Sequence, residues 1–107
     1  MAFDKKPSTW IANYTADATN ITLPIATFPE ITAATEVDET DGDIRKTLFA
    51  IMEYLWLQWV TINTAGNAPT KMTISRVSVP DDTTDTVTKQ YTFTFVIDTS
   101  GQEVDDE

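Results

Sequence analysis

The sequence predicts an α+β fold, in which one central helix packs on a small, mainly antiparallel sheet built around a long C-terminal hairpin. Residues 44–60 (IRKTLFAIMEYLWLQWV) form the predicted helix, because twelve of these seventeen residues are apolar and the run is longer than a typical strand. Residues 87–97 alternate apolar and polar side chains, which is typical of a half-buried antiparallel strand. Residues 72–79 supply its partner strand.

The apolar side chains of the predicted helix form two stripes, at about 100° per residue. The main stripe covers roughly 100° of the helix surface and contains Ile44, Leu48, Ile51, Met52, Leu55 and Trp59. The second stripe widens the apolar surface to roughly 180° and contains Phe49, Trp56 and Val60. Packing on one sheet requires only the main stripe, so the second stripe predicts a further packing partner.

Three interpretations of this wide apolar surface compete. A transmembrane helix is disfavoured, because the run lacks the ~20 apolar residues that span a bilayer and contains charged residues. A core helix covered by its own chain needs more covering material than a short chain comfortably provides. A homo-oligomer covers the same surface with a second copy. We therefore expect self-association, with an interface formed by Trp56, Phe49, Val60, Trp59 and Trp10.

The ends of the helix carry recognisable signals. Thr40 is the predicted N-cap, with Asp43 at the position of the capping-box partner. Asp41 and Asp43 also place negative charge at the positive end of the helix dipole. Residues 61–64 have poor helix preference, and the segment Gly66-Asn67-Ala68-Pro69 ends the helix.

The N-terminal half predicts short extended segments. Residues 1–9 are expected to form a loose polar arm, and residues 10–15 and 21–23 two short strands that widen the sheet. Pro24 and Pro29 prevent a helix in this region, and residues 30–39 connect it to the helix.

In the C-terminal half, five apolar residues share one face of the last strand, with Lys89 as the exception; they are Val87, Tyr91, Phe93, Phe95 and Ile97. We expect this face to pack on the main stripe. In the partner strand the alternation changes phase between Ile74 and Val77, which suggests a bulge near residues 75 and 76. Residues 80–86 form the predicted loop, and residues 101–107 an acidic tail. The chain of 107 residues is read as a single domain, 1–107.

Composition restricts the possible functions. The net charge of −10 argues against binding to nucleic acid or to anionic membranes. The chain contains no cysteine and no histidine, which excludes disulfides, Cys/His metal sites and Cys or His catalysis. The first seven residues are polar and do not resemble a signal peptide, so we expect synthesis in a cytoplasm. Twenty threonines favour exposed strand faces.

The acidic residues do not form a recognisable metal site or catalytic pair. The segment Asp41-Gly42-Asp43 superficially resembles a calcium loop, but aligning Gly42 with the loop glycine places Val37 and Leu48 at ligand positions. Glu53 is the only carboxylate within the apolar helix. Burial would raise its pKa, but its angular position near Lys46 favours an exposed edge. We therefore predict no catalytic residue, no metal and no cofactor.

The chain resembles small uncharacterised proteins encoded in bacteriophage genomes. The similar parts are residues 21–24 (ITLP), 42–49 (GDIRKTLF), 72–76 (MTISR) and 91–95 (YTFTF), followed by an acidic C-terminus. The resemblance covers most of the length and implies a phage origin and a role in the virion or its assembly. The group has no established activity, so no functional residue follows from it.

The sequence therefore predicts a non-enzymatic phage structural or assembly protein that acts by self-association or by docking on a larger virion component. Its expected partners are further copies of itself and other virion proteins, and its expected location is the virion or the host cytoplasm. The alternative is an acidic, host-directed binding module that occupies a basic partner surface, which the net charge suggests. A weaker third candidate is a small hydrolase that uses carboxylates.

Overall fold

The computed structural model describes residues 5–97. Its elements, in order, are α1 (Pro7–Trp10), β1 (Thr15–Ala16), β2 (Ile21–Thr22), α2 (Ile44–Thr64), β3 (Met72–Asp81) and β4 (Thr86–Phe95), with 3-10 turns at Ile25–Thr27 and Ala34–Val37. The strands form two separate antiparallel pairs, β1 with β2 and β3 with β4. The predicted α+β class, with one main helix and a long C-terminal hairpin, is confirmed. The predicted acidic tail, residues 101–107, lies outside the described residues.

The α2 helix begins at Ile44, as predicted, but a different residue caps it. Asp43 is the N-cap, and its Oδ1 accepts a hydrogen bond from the backbone N–H of Arg45 at 2.8 Å. Thr40, the predicted N-cap, lies in the preceding turn, where Asp38 Oδ2 accepts from the backbone N–H groups of Thr40 and Asp41 at 3.0 Å. The prediction was wrong because Asp38 closes a separate turn before the helix starts.

The helix continues to Thr64, four residues past the predicted end at Val60. Gly66 then adopts a φ of +80°, and its N–H donates to the Asn63 carbonyl at 3.0 Å. The N–H of Asn67 donates to the Ile62 carbonyl, also at 3.0 Å. These two bonds form a Schellman motif, which satisfies carbonyls of the last turn and requires a left-handed residue that glycine supplies without strain.

The C-terminal hairpin has a continuous register, from Met72 opposite Phe95 to Asp81 opposite Thr86. The predicted bulge in β3 is therefore wrong. The change of phase has another cause: Arg76 occupies an inward position opposite Tyr91, whereas Val77 and Val79 face outward. Pro80, which was predicted in the loop, lies within β3, and the turn consists of residues 82–85.

The N-terminal strands do not widen the hairpin sheet, contrary to the prediction. Among residues 5–97 they pair only with each other, with Thr15 opposite Thr22. Trp10 belongs to α1 and not to a strand, and α1 also includes the end of the predicted loose arm. This segment packs on α2 instead, because Gln58 Nε2 donates to the Trp10 carbonyl at 2.7 Å and Phe28 contacts Tyr54 edge-on at 5.2 Å between ring centroids.

The hydrophobic core lies where α1, the C-terminal half of α2 and the base of the hairpin meet. Its buried residues are Trp10, Ile62 and Ile74, and partly buried side chains pack around them, namely Ile11, Leu55, Trp56, Trp59, Met72 and Phe93. The hairpin extends well beyond this core, since every residue from 77 to 90 is exposed. We call residues 77–90 the outer hairpin.

Gly42 lies so close to the preceding turn that any side chain there would clash with backbone. A Cβ on Gly42 would lie 2.5 Å from the nitrogen and 2.6 Å from the oxygen of Asp38. We expect Gly42→Ala to lower the free energy of unfolding by about 1–3 kcal/mol, measured by urea denaturation. Asp41→Ala, a neighbouring exposed position, should leave stability nearly unchanged. Equal stability of the two variants would contradict this prediction.

Candidate functional site

Side chains of the hairpin's inner face converge on one carboxylate of α2. Arg76 on β3 and Tyr91 on β4 lie opposite each other, and Lys89 is two residues before Tyr91 on the same face. All three contact Glu53, which is only 7% exposed. The prediction that Glu53 occupies an exposed helix edge is therefore wrong. We call Glu53, Arg76, Lys89 and Tyr91 the Glu53 cluster.

The carboxylate of Glu53 has partners from both strands. Arg76 Nη1 donates to its two oxygens, at 2.9 Å to Oε1 and 2.8 Å to Oε2. The Tyr91 hydroxyl donates a hydrogen bond to Oε1, and Lys89 Nζ lies 4.0 Å from the same oxygen. Within residues 5–97, no buried side-chain nitrogen or oxygen lacks a hydrogen-bond partner. The cluster is thus internally satisfied, as stable buried polar groups must be.

The electrostatics of the cluster fix its protonation states. Burial raises the pKa of Glu53, but the hydrogen bonds from Tyr91 and Arg76 and the charges of Lys89 and Arg76 together outweigh burial and lower that pKa. Burial also raises the pKa of Tyr91, and the hydrogen bond to Glu53 and its negative charge raise it further, to about 12. At neutral pH Glu53 is therefore an anion and Tyr91 a neutral donor.

Aromatic side chains of the second stripe cover the two cations. The guanidinium carbon of Arg76 lies 3.7 Å from the ring centroid of Trp56, and Lys89 Nζ lies 5.5 Å from that of Phe49. Both distances are within the range of a cation–π interaction. The middle of the hairpin therefore packs on the second stripe, whereas we had expected the hairpin to pack on the main stripe.

The chemistry of the Glu53 cluster is that of an ion pair that positions two elements. Both carboxylate oxygens accept hydrogen bonds, and the group stays ionised, so the cluster holds β3 and β4 at a fixed place along α2. Two cations face one anion, which leaves one positive charge in excess. That local excess contrasts with the net charge of −10 for the whole chain.

The five predicted interface residues differ in their environments. Trp56 and Phe49 are half-buried beneath the hairpin, and Trp59 packs against Trp10 with 6.4 Å between ring centroids. Trp10 is 7% exposed, whereas Val60 is 40% exposed. The structure therefore brings Trp10 together with Trp59 and places Trp56 and Phe49 against hairpin cations. Their role in an interface between molecules stays a prediction.

The most exposed apolar side chains lie elsewhere. Ile44 and Leu48, one turn apart on the main stripe, are 66% and 47% exposed. Other exposed apolar residues follow in groups, namely Leu57 with Val60 on α2, Val77, Val79 and Val87 on the outer hairpin, and Phe95, Val96 and Ile97 at its base. Apolar surface thus remains on both the helix and the hairpin.

The acidic residues before α2 stabilise turns. Glu36 Oε1 accepts from the backbone N–H groups of Thr32 and Ala33, at 2.7 and 3.2 Å, and these bonds lower the pKa of Glu36. The side-chain hydrogen bond from Arg45 is the main cause that lowers the pKa of Asp43 to about 2.

In the described part of the chain, no group of three or more acidic side chains is arranged to hold a metal ion.

Sequence reasoning missed the Glu53 cluster, although a signal for it was present. Lys89 interrupts the apolar face of β4, Arg76 interrupts that of β3, and Glu53 is the one carboxylate of the apolar helix. Each of these charged residues, taken alone, is a single exception to an apolar pattern. Together they are two cations and one anion on faces that must pack, which predicts a buried ion pair.

Comparison of the chain with protein-family models, with curated proteins and with solved structures found no match. The resemblance to phage proteins therefore stays a prediction. Among residues 5–97, no helix combines the length and the apolar character needed to cross a membrane.

We predict that Glu53→Gln weakens the fold, because it leaves Arg76 and Lys89 close together without a counter-charge. The expected loss in the free energy of unfolding is about 2–3 kcal/mol, measured by chemical denaturation. Arg45→Gln is the control, since it breaks the Asp43–Arg45 pair, in which the Arg45 side chain is 89% exposed. Exposed pairs contribute little, so similar losses in the two variants would argue against a structural role for the Glu53 cluster.

Tyr91 should ionise late in an alkaline titration. Its pKa is raised from 10.0 to about 12, so its stabilisation is complete below pH 10 and is lost as the pH rises through about 12. Ultraviolet absorbance of tyrosinate should show one tyrosine that ionises near pH 12, and this step should be absent in Tyr91→Phe but present in Tyr14→Phe. In Glu53→Gln the late step should move to lower pH. A late step that survives in Tyr91→Phe would disprove the assignment.

Proposed function

We propose that this chain is a non-enzymatic structural or assembly protein of a bacteriophage, which acts by self-association or by docking on a larger virion component. One observation carries the proposal: the fold leaves more large apolar side chains exposed than it buries. Among the described residues, thirteen large hydrophobic residues are exposed, whereas five hydrophobic residues are buried. A protein that works in an assembly can bury such surface against its neighbours.

The distribution of the exposed residues supports the same proposal. Single exposed apolar residues are normal on any protein, but here they are neighbours. Ile44 and Leu48 are adjacent on one helix face, and Val77 and Val79 are adjacent on the outer face of β3. Neighbouring exposed apolar side chains can together form a contact site.

The thin core adds a physical reason for association. No large side chain among residues 5–97 has less than 2% of its surface exposed. Burial of a large apolar side chain contributes roughly 1.5–3 kcal/mol, so side chains that are only partly covered contribute less. Contact with a second molecule would complete their burial and raise the stability of the fold.

The phage part of the proposal rests on the sequence resemblance alone. The described residues offer no specific support for the alternative, an acidic host-directed module. The side chains of Asp17, Glu36 and Asp38 accept backbone hydrogen bonds within their own turns. Carboxylates used in this way help to fold the chain.

Light scattering coupled to size-exclusion chromatography tests self-association. At micromolar concentration we expect a mass of at least twice that of the monomer, together with a melting temperature that rises with protein concentration.

The double variant Ile44→Ser, Leu48→Ser tests docking on a virion component. If the helix face makes that contact, mass spectrometry should detect the wild-type chain in purified virions but not the double variant. A wild-type chain that is monomeric and absent from virions would refute the proposal.

A further inference from the structure

Within the described residues, the two-stranded hairpin has an outer edge on each strand, and its hydrogen-bond pattern shows which backbone groups form the edge of β4. The N–H of Val96 donates to the carbonyl of Lys71 at 2.9 Å, so residues 71 and 96 form a hydrogen-bonded pair. Hydrogen-bonded pairs recur at every second position of an antiparallel ladder, and in this register they use the even-numbered residues of β4. The backbone groups of the odd-numbered residues therefore point away from β3; these are Val87, Lys89, Tyr91, Phe93 and Phe95.

No strand covers this side of β4 in the described part of the chain, where β4 pairs with β3 alone. We call the outward backbone groups of residues 87–95 the β4 edge. It offers five N–H donors and five carbonyl acceptors in a row. An unpaired edge of this length is a template for pairing with another strand.

The opposite edge of the hairpin is interrupted. By the same alternation, the outward backbone groups of β3 belong to Met72, Ile74, Arg76, Ser78 and Pro80. Pro80 has no N–H, and proline on an edge strand hinders the addition of a further strand. The two edges are therefore not equivalent, and the β4 edge is the complete one.

The charge distribution indicates what can approach the β4 edge. The chain has 17 acidic residues, yet none lies between residues 86 and 97. Lys89 faces Glu53, and the outer face of β4 consists of Thr86, Thr88, Gln90, Thr92 and Thr94. Two copies, each with a net charge of −10, repel each other over acidic surfaces. Along β4 they can approach without placing acidic side chains opposite each other.

We propose that β4 pairs in antiparallel fashion with β4 of a second copy, about a two-fold axis at Tyr91. This inference deepens the self-association proposed above and rests on it. The register places Val87 opposite Phe95 of the second copy, and these apolar side chains are 56% and 52% exposed in the single chain. By symmetry the contact occurs twice, and each residue covers its counterpart.

The remaining pairs of this register are also compatible. Lys89 lies opposite Phe93 of the second copy, and on the outer face Thr88 meets Thr94 while Gln90 meets Thr92. Antiparallel pairing keeps each side chain on its own face of the sheet. The product is a four-stranded sheet with both α2 helices on one face. A sheet of four strands is more stable than a sheet of two.

Disulfide trapping tests the pairing of the two β4 strands. The chain contains no cysteine, so only the introduced cysteines can form a disulfide. In Gln90→Cys, Thr92→Cys, each cysteine of one copy lies opposite a cysteine of the other. After a slip of two residues in either direction, one pair of cysteines still lies opposite. Oxidation should convert most of the protein into a covalent dimer that reductant reverses. The matched control, Ser75→Cys, Val77→Cys, places the same pair on the outer face of β3 and should stay monomeric on a denaturing gel.

Proline substitution supplies a second test that does not depend on oxidation. Val87→Pro and Ser78→Pro each remove an N–H that points away from the ladder, on β4 and β3 respectively. Both variants should retain the circular dichroism of the wild type. Val87→Pro should weaken dimerisation about tenfold or more, because two edge hydrogen bonds are lost per dimer, whereas Ser78→Pro should not.

The outcomes separate this inference from the proposed function. Cross-linking through β4 alone, with dimerisation lost in Val87→Pro, supports edge pairing. A wild-type oligomer whose β4 cysteines do not cross-link, or cross-link no more than the β3 control, overturns edge pairing but leaves self-association intact. A wild-type monomer that forms no cross-link overturns both edge pairing and self-association, and the virion measurement then decides whether docking remains.

Discussion

The fold depends on one interaction, the contact of Glu53 with Arg76 and Tyr91. Glu53 is buried in the middle of α2 and accepts hydrogen bonds from both strands of the hairpin. A buried charge without a partner is costly, so the hairpin has to cross α2 where its cation and hydroxyl meet the carboxylate. Apolar contacts near Ile74 tolerate small shifts, whereas the charged hydrogen bonds from Arg76 Nη1 to both oxygens of Glu53 fix the position of β3 along the helix.

The hairpin contacts the rest of the fold at its base and its middle, which explains why so much of its surface is exposed. The base of the hairpin packs in the core and Glu53 holds its middle, but residues 77–88 extend beyond both contacts and are all exposed. The N-terminal segment covers a different side of α2, through Trp10 and Phe28. Between these contacts the helix still exposes Ile44 and Leu48. Partial coverage from two sides therefore leaves apolar side chains and the β4 edge uncovered in the described part of the chain.

Local patterns in the sequence determined the elements themselves. The apolar run predicted α2 and its first residue, because a helix of that composition needs no distant contact to be recognised. The alternation through Tyr91, Phe93 and Phe95 predicted β4 and the hairpin, since period-two patterning follows from strand geometry. Gly66 predicted the helix end within a few residues, because a left-handed position after the last turn favours glycine. These features depend on neighbours in the chain, so the sequence alone was sufficient for them and for the α+β class.

Only the tertiary structure decided how these elements meet. The angular position of Glu53 favoured exposure, but the hairpin crosses α2 on the side of Trp56 and buries that carboxylate under Arg76. The short strands at Thr15 and Ile21 pair with each other, although their sequences suit a larger sheet equally well. The physical reason is the same in both cases: periodicity shows which face of an element is apolar, but the choice between two apolar faces depends on charge partners that lie far apart in the chain and meet only on folding.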